Sequence, residues 1–396
     1  MIARNIAETC RRLWGMYPIL TVTGPRQSGK TTLVKDLFKD CEYVNLEQPD
    51  IRDEAIADAR GFLARHPAPA IFDEVQNTPE LVRYLQVMVD EMGGVSRYVL
   101  TGSHQPALQE VVSQSLAGRT GLVELLPLSI SELKAAGYAK KRDRWMFDGF
   151  MPRLYASKLT PTQLFSDYFK TYVERDVRHL ANLRNLHTFE IFMRLLAGRA
   201  GQLLNLDSLA SDVGISASTV REWLSLLEAS YVIYTLRPYF KNFGKRFVKA
   251  PKVYFTDVGL LCYLLGINEP QQVATHPLMG SVFENMVVIE MLKERLNSGK
   301  NGDLYYMRTS HGVEIDIVLE NAGKLDLTEI KAGETFHDEM ANNLRSIARL
   351  LPNEVGKLAV VYAGRGASAS GGIPVLSFEA IAYPVVGHSM PRSGVE

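Results

Sequence analysis

The sequence predicts an α/β protein of three parts: a first domain around a parallel sheet, a central helical domain, and a smaller C-terminal α/β domain. Up to residue 155, short apolar runs alternate with helical patterns, which is typical of a parallel sheet. Helical patterns then fill residues 160–230, and a hairpin pattern covers 231–257. A helix, three strands, a helix and a strand follow from residue 278. The predicted domains are 1–155, 156–275 and 276–396.

Composition narrows the classes of function. The chain has 396 residues, 46% of them apolar, so each domain can bury a core. The 44 basic and 44 acidic residues cancel, and any contact with nucleic acid must therefore come from a local patch. Cys10, Cys41 and Cys262 are too scattered for a disulfide framework or a thiolate zinc site. There is no signal-peptide pattern and no apolar run of about 20 residues, so we expect a soluble cytoplasmic protein without a membrane partner.

The strongest motif is GPRQSGKT at residues 24–31, which matches the phosphate-loop pattern G-x-x-x-x-G-K-[ST] in full. It follows a β-rich run at 19–23 and precedes a helical pattern at 32–38. Glycines let the backbone wrap around phosphates, and the loop N–H groups supply positive potential. Lys30 would reach the β- and γ-phosphates and the Thr31 hydroxyl would bind Mg²⁺, so the predicted cofactors are ATP and Mg²⁺. The predicted nucleotide contacts are Gly24, Pro25, Arg26, Gln27, Ser28, Gly29, Lys30, Thr31, Thr32 and Thr101.

A second buried strand ends in two acids, as expected for the other half of such a site. Asp73 would hold Mg²⁺, and Glu74 would orient or deprotonate the attacking water. The next strand ends at Thr101, which would sense the γ-phosphate or the water. Arg119 is either an arginine finger that acts on a neighbouring subunit of a homo-oligomer or a structural surface arginine. The predicted catalytic residues are Glu74, Asp73, Lys30 and Arg119.

Several segments together resemble one known family. They are 24–32, 72–76, 100–103, 115–119, 126–129 with Glu132, and 172–177. This set is similar to a family of bacterial and archaeal AAA ATPases that carry a C-terminal domain of unknown function. The resemblance covers nearly the whole chain and implies the AAA fold. The chain departs from the family at residues 149–152, Gly-Phe-Met-Pro, where Gly-Gly-aromatic-Pro is common.

The central domain contains a predicted helix-turn-helix. A short helix begins near residue 206 with Asp207 or Ser208 as its cap, and a turn with glycine follows. The next helix has apolar residues spaced for one buried face. They are Val220, Trp223, Leu224 and Leu227. Two strands at 231–236 and 252–256 would then form the wing of a winged helix.

Basic residues are concentrated between these two strands, with no acid among them. They are Arg237, Lys241, Lys245, Arg246, Lys249 and Lys252. Two interpretations are open. The wing either contacts the phosphate backbone of DNA, or the module serves as a lid or docks to a protein partner.

The C-terminal domain carries acids and a lysine on a predicted helix and on strands. Period 2 places Glu329 and Lys331 on one face of a strand. The order of a helical Glu, then Asp, then Glu-x-Lys resembles the PD-(D/E)xK nuclease fold, which is restriction-endonuclease-like. The resemblance implies that Asp316 and Glu329 bind Mg²⁺ and that Lys331 orients the water or stabilises the developing charge. It also implies that Glu284 is the helical carboxylate, with Glu290 in reserve. Such a domain either cleaves nucleic acid or only binds.

The motifs in this order predict an ATP hydrolase. Its nucleotide state would control how a winged helix and a nuclease-like domain engage DNA. The alternative is a nucleotide-gated module that docks to or regulates a protein partner and whose C-terminal domain is catalytically silent.

Overall fold

The computed structural model of the chain describes residues 2–103, 115–173, 186–239, 248–366 and 368–381. Lys241, Lys245 and Arg246 of the predicted wing lie outside these ranges, and so do residues 174–177.

The first domain is built on a parallel sheet in the order β2-β3-β4-β1-β5. Its strands are β1 (Ile19–Gly24), β2 (Glu42–Asn45), β3 (Ala70–Asp73), β4 (Tyr98–Ser103) and β5 (Thr120–Glu124). Its helices are α1 (Ala7–Trp14), α2 (Lys30–Leu37), α3 (Pro49–Ala57), α4 (Ala59–Arg65) and α5 (Pro79–Met92), with a 3₁₀ turn at Val75–Asn77. In the register Gly24 lies opposite Ser103, so the carboxyl ends of β1 and β4 meet at one edge.

Both faces of this sheet are buried. Consecutive strand residues point to opposite faces, and here both faces carry apolar side chains. Ile71 lies in one core cluster with Val22 and Val99, while its neighbour Phe72 lies in another with Leu100. This burial on two sides explains why the strands are continuous apolar runs in the sequence.

Helices follow the first sheet. They are α6 (Ile130–Ala135), α7 (Arg142–Asp148), α8 (Pro152–Ala156), α9 (Pro161–Tyr168), α10 (Leu186–Ala197), α11 (Leu206–Val213), α12 (Ala217–Ala229), α13 (Val258–Leu264) and α14 (Pro270–Thr275), with a π-helical turn at Phe169–Val173. Helices α11 and α12 flank Gly214, whose φ of 79° ends α11. The four apolar residues predicted for α12 are buried. The cap of α11 differs from the prediction, because Asn205 has the extended backbone of a cap residue and its Oδ1 accepts from Ser208 N at 3.0 Å.

A second sheet joins the central and C-terminal parts in the order β12-β13-β11-β10-β9-β8-β6-β7. Its strands are β6 (Ile233–Pro238), β7 (Lys252–Phe255), β8 (Tyr305–Arg308), β9 (Glu314–Asn321), β10 (Lys324–Lys331), β11 (Val355–Tyr362), β12 (Ser368–Ser370) and β13 (Ile373–Ser377). Helices α15 (Met279–Asn297) and α16 (Asn342–Leu350) and 3₁₀ turns at Asp338–Ala341 and Phe378–Ala380 complete this part. Strand β6 pairs antiparallel with β7 and parallel with β8. The predicted division at 275/276 is therefore crossed by one hydrogen-bonded sheet.

Candidate functional site

The phosphate loop connects β1 to α2 and depends on two glycines. Gly24 has φ 144°, and a Cβ there would lie 2.2 Å from the carbonyl oxygen of Leu125, so no side chain fits. Gly29 has φ 94° and directly precedes the first turn of α2. The loop can therefore curl over the N-terminal end of α2, where free N–H groups favour an anion.

Lys30 lies inside this curl. It is buried, and its Nζ donates to the carbonyl oxygens of Gly24 and Pro25, both at 3.0 Å. Burial lowers the pKa of the Lys30 ammonium, while the charges of Glu74 and Asp73 act in the opposite direction. The loop thus surrounds a positive charge that two acids help to retain.

Asp73 is the meeting point of three hydroxyl groups. Thr31 Oγ1 donates to Asp73 Oδ2 at 2.8 Å, and the Thr101 hydroxyl donates to Oδ1. Tyr43 donates to Oδ2 at 2.7 Å, and burial, together with this carboxylate, raises the pKa of the phenol, which keeps it a donor. The structure therefore brings Thr31, Asp73 and Thr101 together and adds Tyr43, which the sequence analysis missed because it belongs to no motif.

Hydroxyl and carboxylate oxygens at this point suit Mg²⁺, a hard cation that prefers oxygen donors. Thr31 and Asp73 supply one of each within hydrogen-bond distance of one another. The donor set of the loop edge therefore fits the predicted metal ion.

Glu74 follows Asp73 in an unusual backbone conformation. Its φ of 61° and ψ of 47° lie in the left-handed region. Its Oε2 accepts from the Ser103 hydroxyl at 3.2 Å and from the side-chain amide of Gln76. The Glu74 side chain lines the same cavity as Lys30.

That cavity has a volume of ≈ 1290 Å³ and opens beside the loop. The predicted residues that line it are Arg26, Gln27, Gly29, Lys30, Thr31, Thr32 and Glu74. The N-terminal segment around Arg4, Tyr138 and helix α8 also contribute to its wall. Gly24, Pro25, Ser28 and Thr101 belong to the loop edge without lining the cavity.

Arg4 fixes the loop to the segment that follows β5, and the sequence analysis missed this role. Its guanidinium donates to the Ser28 carbonyl oxygen at 2.8 Å and to that of Leu126 at 2.6 Å. It also pairs with Glu132 at 3.1 Å, where Glu132 forms a capping box with Ser129 at the start of α6. Arg4 could not be recognised because these partners lie 24 to 128 residues away in the chain.

The turn at 149–152, where the chain departs from the similar family, lies next to the loop. A Cβ at Gly29 would lie 3.9 Å from the Pro152 ring. Arg153, which follows in α8, lines the cavity as a further basic residue. The sequence analysis assigned no role to this turn, and its position beside the cavity comes from the structure.

Arg119 lies at the end of the first sheet opposite to the phosphate loop, where strand β1 begins. Its carbonyl oxygen accepts from the N–H of Ile19, the first residue of β1, whereas the loop begins at the other end of that strand. The length of strand β1 therefore separates Arg119 from the start of the loop by about 17 Å. The guanidinium forms two hydrogen bonds with Asp90, at 2.6 and 2.7 Å. Arg119 thus does not reach the loop of its own chain, and a role in catalysis would require a second subunit.

The predicted C-terminal site residues form a cluster. Asp316 Oδ2 accepts from Ile330 N at 2.7 Å. Burial, and next the charges of Glu284 and Glu329, raise the pKa of Asp316 well above its usual range. Lys331 Nζ donates to Glu329 Oε1 at 2.5 Å.

Lys252 belongs to this cluster and not to the surface of the wing, which corrects the sequence analysis. Its side chain is only 2% exposed, and its Nζ lies 3.0 Å from Glu284 Oε1 and 2.5 Å from Glu314 Oε1. Burial alone would lower the pKa of Lys252, but Glu284, Asp316 and Glu314 raise it overall. The sequence pattern missed this because the acids follow Lys252 by more than 30 residues.

Two further observations concern the predicted metal ligands. Glu290, the reserve residue, lies elsewhere: its Oε2 accepts from Ile130 N at 2.8 Å and its Oε1 from Lys293 at 2.7 Å. Within the described ranges, no group of three or more His, Cys, Asp or Glu side chains is arranged to hold a metal ion. Glu284, Asp316 and Glu329 therefore share a cluster, and their role as metal ligands stays a prediction.

Comparison with protein families divides the chain into three matched regions. Residues 16–134 match the AAA domain, residues 139–271 a domain of unknown function (DUF8612), and residues 279–381 another (DUF4143). Among solved structures, the Walker-type ATPase of Pyrococcus abyssi is 14% identical, with a TM-score of 0.43 over 67% of this chain and 96% of that one. None of the helices in the described part of the chain is long and apolar enough to cross a membrane.

Curated relatives match over most of the chain. An uncharacterized protein of Haemophilus influenzae is 23% identical over 82% of this chain and 82% of its own length. Uncharacterized proteins of Mycobacterium bovis and Mycobacterium tuberculosis are each 32% identical over 364 residues, which is 91% of this chain and 80% of the relative. The chain therefore belongs to the family of these mycobacterial proteins, and its N-terminal part is an AAA domain with a P-loop.

Proposed function

We propose that the protein binds ATP with Mg²⁺ and hydrolyses it to ADP and phosphate in its AAA domain. The observation that carries this proposal is the 2.8 Å hydrogen bond from the Thr31 hydroxyl to the Asp73 carboxylate, beside the buried Lys30. It joins the loop that favours phosphate to the acid that favours a metal ion. A structural role alone would not require these residue types at one sheet edge.

Each residue has its own role in this proposal. Lys30 contacts the β- and γ-phosphates, and Thr31 and Asp73 hold Mg²⁺, which when bound neutralises charge on those phosphates. Glu74 orients the attacking water and accepts its proton. Thr101 fixes the orientation of the Asp73 carboxylate through its hydroxyl.

The test is Mg²⁺-dependent phosphate release by the full chain, alone and with single-stranded, duplex and branched DNA. Lys30→Ala should abolish both ATP binding and phosphate release. The control is Lys39→Ala, because Lys39 follows α2 on the surface with 75% of its side chain exposed. Absence of ATP hydrolysis by the unmodified chain under all four conditions would contradict the proposal.

We further propose that nucleotide state is transmitted to the rest of the chain. The Tyr231 hydroxyl lies 3.1 Å from Thr23 Oγ1, one residue before the loop. On another side, Lys293 of α15 donates to the carbonyl oxygen of Leu128 at 2.8 Å. Both contacts connect the first domain, near the loop, with segments that flank the second sheet, so a rearrangement of the loop would act on them directly.

We propose that the part of the chain that responds to nucleotide state binds DNA. Helices α11 and α12 with the hairpin β6–β7 have the order of a winged helix, and Arg221 and Arg237 are exposed on them. If both contact phosphates, the variant with Arg221→Ala and Arg237→Ala should lower the slope of log K against log salt by about two. An unchanged slope would favour the alternative, in which nucleotide state gates docking to a protein.

A further inference from the structure

The acidic cluster of the C-terminal domain contains a cation that the chain itself supplies. Lys252 comes from β7, whereas Glu284 comes from α15 and Glu314 from β9. The Lys252 ammonium lies 3.0 Å from one carboxylate and 2.5 Å from the other. Three elements that are distant in the chain are therefore joined through one buried positive charge.

Two oxygens of the cluster are engaged by donors, while the buried Glu329 Oε2 has no hydrogen-bond partner. Glu284 Oε1 accepts from Lys252 and, at 2.6 Å, from the Tyr254 hydroxyl. Glu329 Oε1 accepts from Lys331 at 2.5 Å. A bound Mg²⁺ would take about six oxygens at about 2.0–2.1 Å, several of them usually from water and one or two from carboxylates. What separates this cluster from the Mg²⁺ site proposed at Asp73 is its cation: the Lys252 ammonium already lies between Glu284 and Glu314, where a divalent ion would otherwise balance the carboxylates.

The ammonium suits this position for electrostatic reasons. Buried carboxylates are strongly unfavourable unless a charge partner and hydrogen bonds compensate them. An ammonium is compact and has three donors, so one group can satisfy two carboxylates at once. With 2% of its side chain exposed, Lys252 has little water to compete for those donors.

We propose that Lys252 is the resident cation of the C-terminal cluster and that it takes the place of a divalent metal ion beside Glu284, Glu314 and Asp316. The cluster then joins the central hairpin to the C-terminal domain and, in this state, does not cleave nucleic acid with a metal. This goes beyond the proposed ATP hydrolysis and does not depend on it, because the cluster is separate from the phosphate loop.

The first test uses the unmodified full chain without nucleotide. Mn²⁺ binding, followed by electron paramagnetic resonance of the free ion, is compared with that of Asp316→Asn, which keeps an acceptor oxygen for Ile330 N. Equal numbers of bound Mn²⁺ ions are expected. A bound ion that is present in the unmodified chain and lost in Asp316→Asn would overturn the proposal.

The second test removes the ammonium. Lys252→Met should bind one further Mn²⁺ ion per chain, and Asp316→Asn added to this variant should remove it. The matched control is Lys293→Met, because Lys293 is equally buried but pairs with the single carboxylate of Glu290. Its Mn²⁺ binding should not change, measured like that of Lys252→Met on protein that circular dichroism shows to be folded.

Two outcomes of the second test would overturn the proposal. One is the absence of extra binding in a Lys252→Met protein that circular dichroism shows to be folded. The other is an equal gain in Lys293→Met, which would mean that any unpaired buried acid recruits the ion. If Lys252→Met does not fold, the proposal is tested by the first comparison alone, that of the Mn²⁺ ions bound by the unmodified chain and by Asp316→Asn.

Discussion

Glu74 has an unfavourable backbone conformation, and its carboxylate lines the cavity beside the loop. Its left-handed conformation costs a residue with a Cβ about 1–2 kcal/mol, and Gln76 and Ser103 hold its carboxylate. The neighbouring Asp73 uses both of its oxygens to accept from hydroxyl groups. Glu74 is therefore the acid of this pair that can turn towards a water molecule in the cavity.

Glu74→Gln should lower the rate of ATP hydrolysis by about 10²- to 10³-fold, because an amide cannot accept the proton of the water. The dissociation constant for ATP should change little, since Lys30 and Thr31 remain. Phosphate release and a fluorescent-nucleotide titration measure the two quantities. Glu80→Gln, on the exposed face of α5, is the control. Undiminished hydrolysis in Glu74→Gln would assign the water to another group.

Glu124 gives a pH-dependent prediction. Burial raises the pKa of its carboxyl above the ordinary 4.5, so the folded protein disfavours the charged form. Its contribution to stability therefore falls as the pH rises from the unfolded value towards the raised folded value. Glu124→Gln should raise the melting temperature at pH 8, and the difference from the unmodified chain should vanish near pH 4. An increase that is equal at both pH values would show that charge is not its cause.

At the scale of elements, α15 connects two ionic groups. Glu284, near its start, contacts Lys252, and about two turns later Glu290 and Lys293 form a buried pair. The second pair also binds the backbone where the first domain leads into α6, through Ile130 N and the Leu128 carbonyl oxygen. Charged side chains therefore fix α15 at two places, to Lys252 near its start and to the backbone before α6 about two turns later.

Lys293→Met should destabilise the protein by about 3–5 kcal/mol, because it leaves Glu290 buried without its partner. Adding Glu290→Leu should recover part of this loss, since no charge then remains unpaired. Urea unfolding followed by circular dichroism measures both variants. A double variant that is no more stable than Lys293→Met would show that packing, and not the unpaired charge, accounts for the loss.

At the scale of the whole molecule, local chemistry could be predicted from the sequence and long-range pairing could not. The loop residues form one continuous motif, because the loop backbone itself must wrap around phosphate, and Asp73 is marked by its place at the end of a buried apolar strand. Arg4, Tyr43 and Lys252 meet their partners only through the topology of the sheets. The hairpin β6–β7 was predicted, but the parallel pairing of β6 with β8 leaves no local pattern in the sequence that could predict it. Likewise, only the contact of Arg119 with the start of β1 shows that this residue lies far from the loop of its own chain.

The contact between Tyr231 and Thr23 predicts how nucleotide binding is transmitted. A non-hydrolysable ATP analogue should slow amide hydrogen exchange in α12 and β6 of the unmodified chain. Tyr231→Phe removes a hydrogen bond worth about 1 kcal/mol, so this protection should fall about fivefold while the affinity for the analogue is retained. Mass spectrometry of exchanged peptides measures the effect, and protection that is unchanged in Tyr231→Phe would exclude this route.

The parallel pairing of β6 with β8 limits where the chain can be cut. A fragment that begins at residue 279, where one matched family region starts, would contain β8 without its neighbour. The uncovered backbone groups would then be open to pairing with other chains, the situation that leads to aggregation. A fragment that begins at residue 139 retains both hairpin strands and their covering helices. Recombinant pieces of this protein should therefore keep its second hydrogen-bonded sheet whole, which rules out a cut between the second and third family regions.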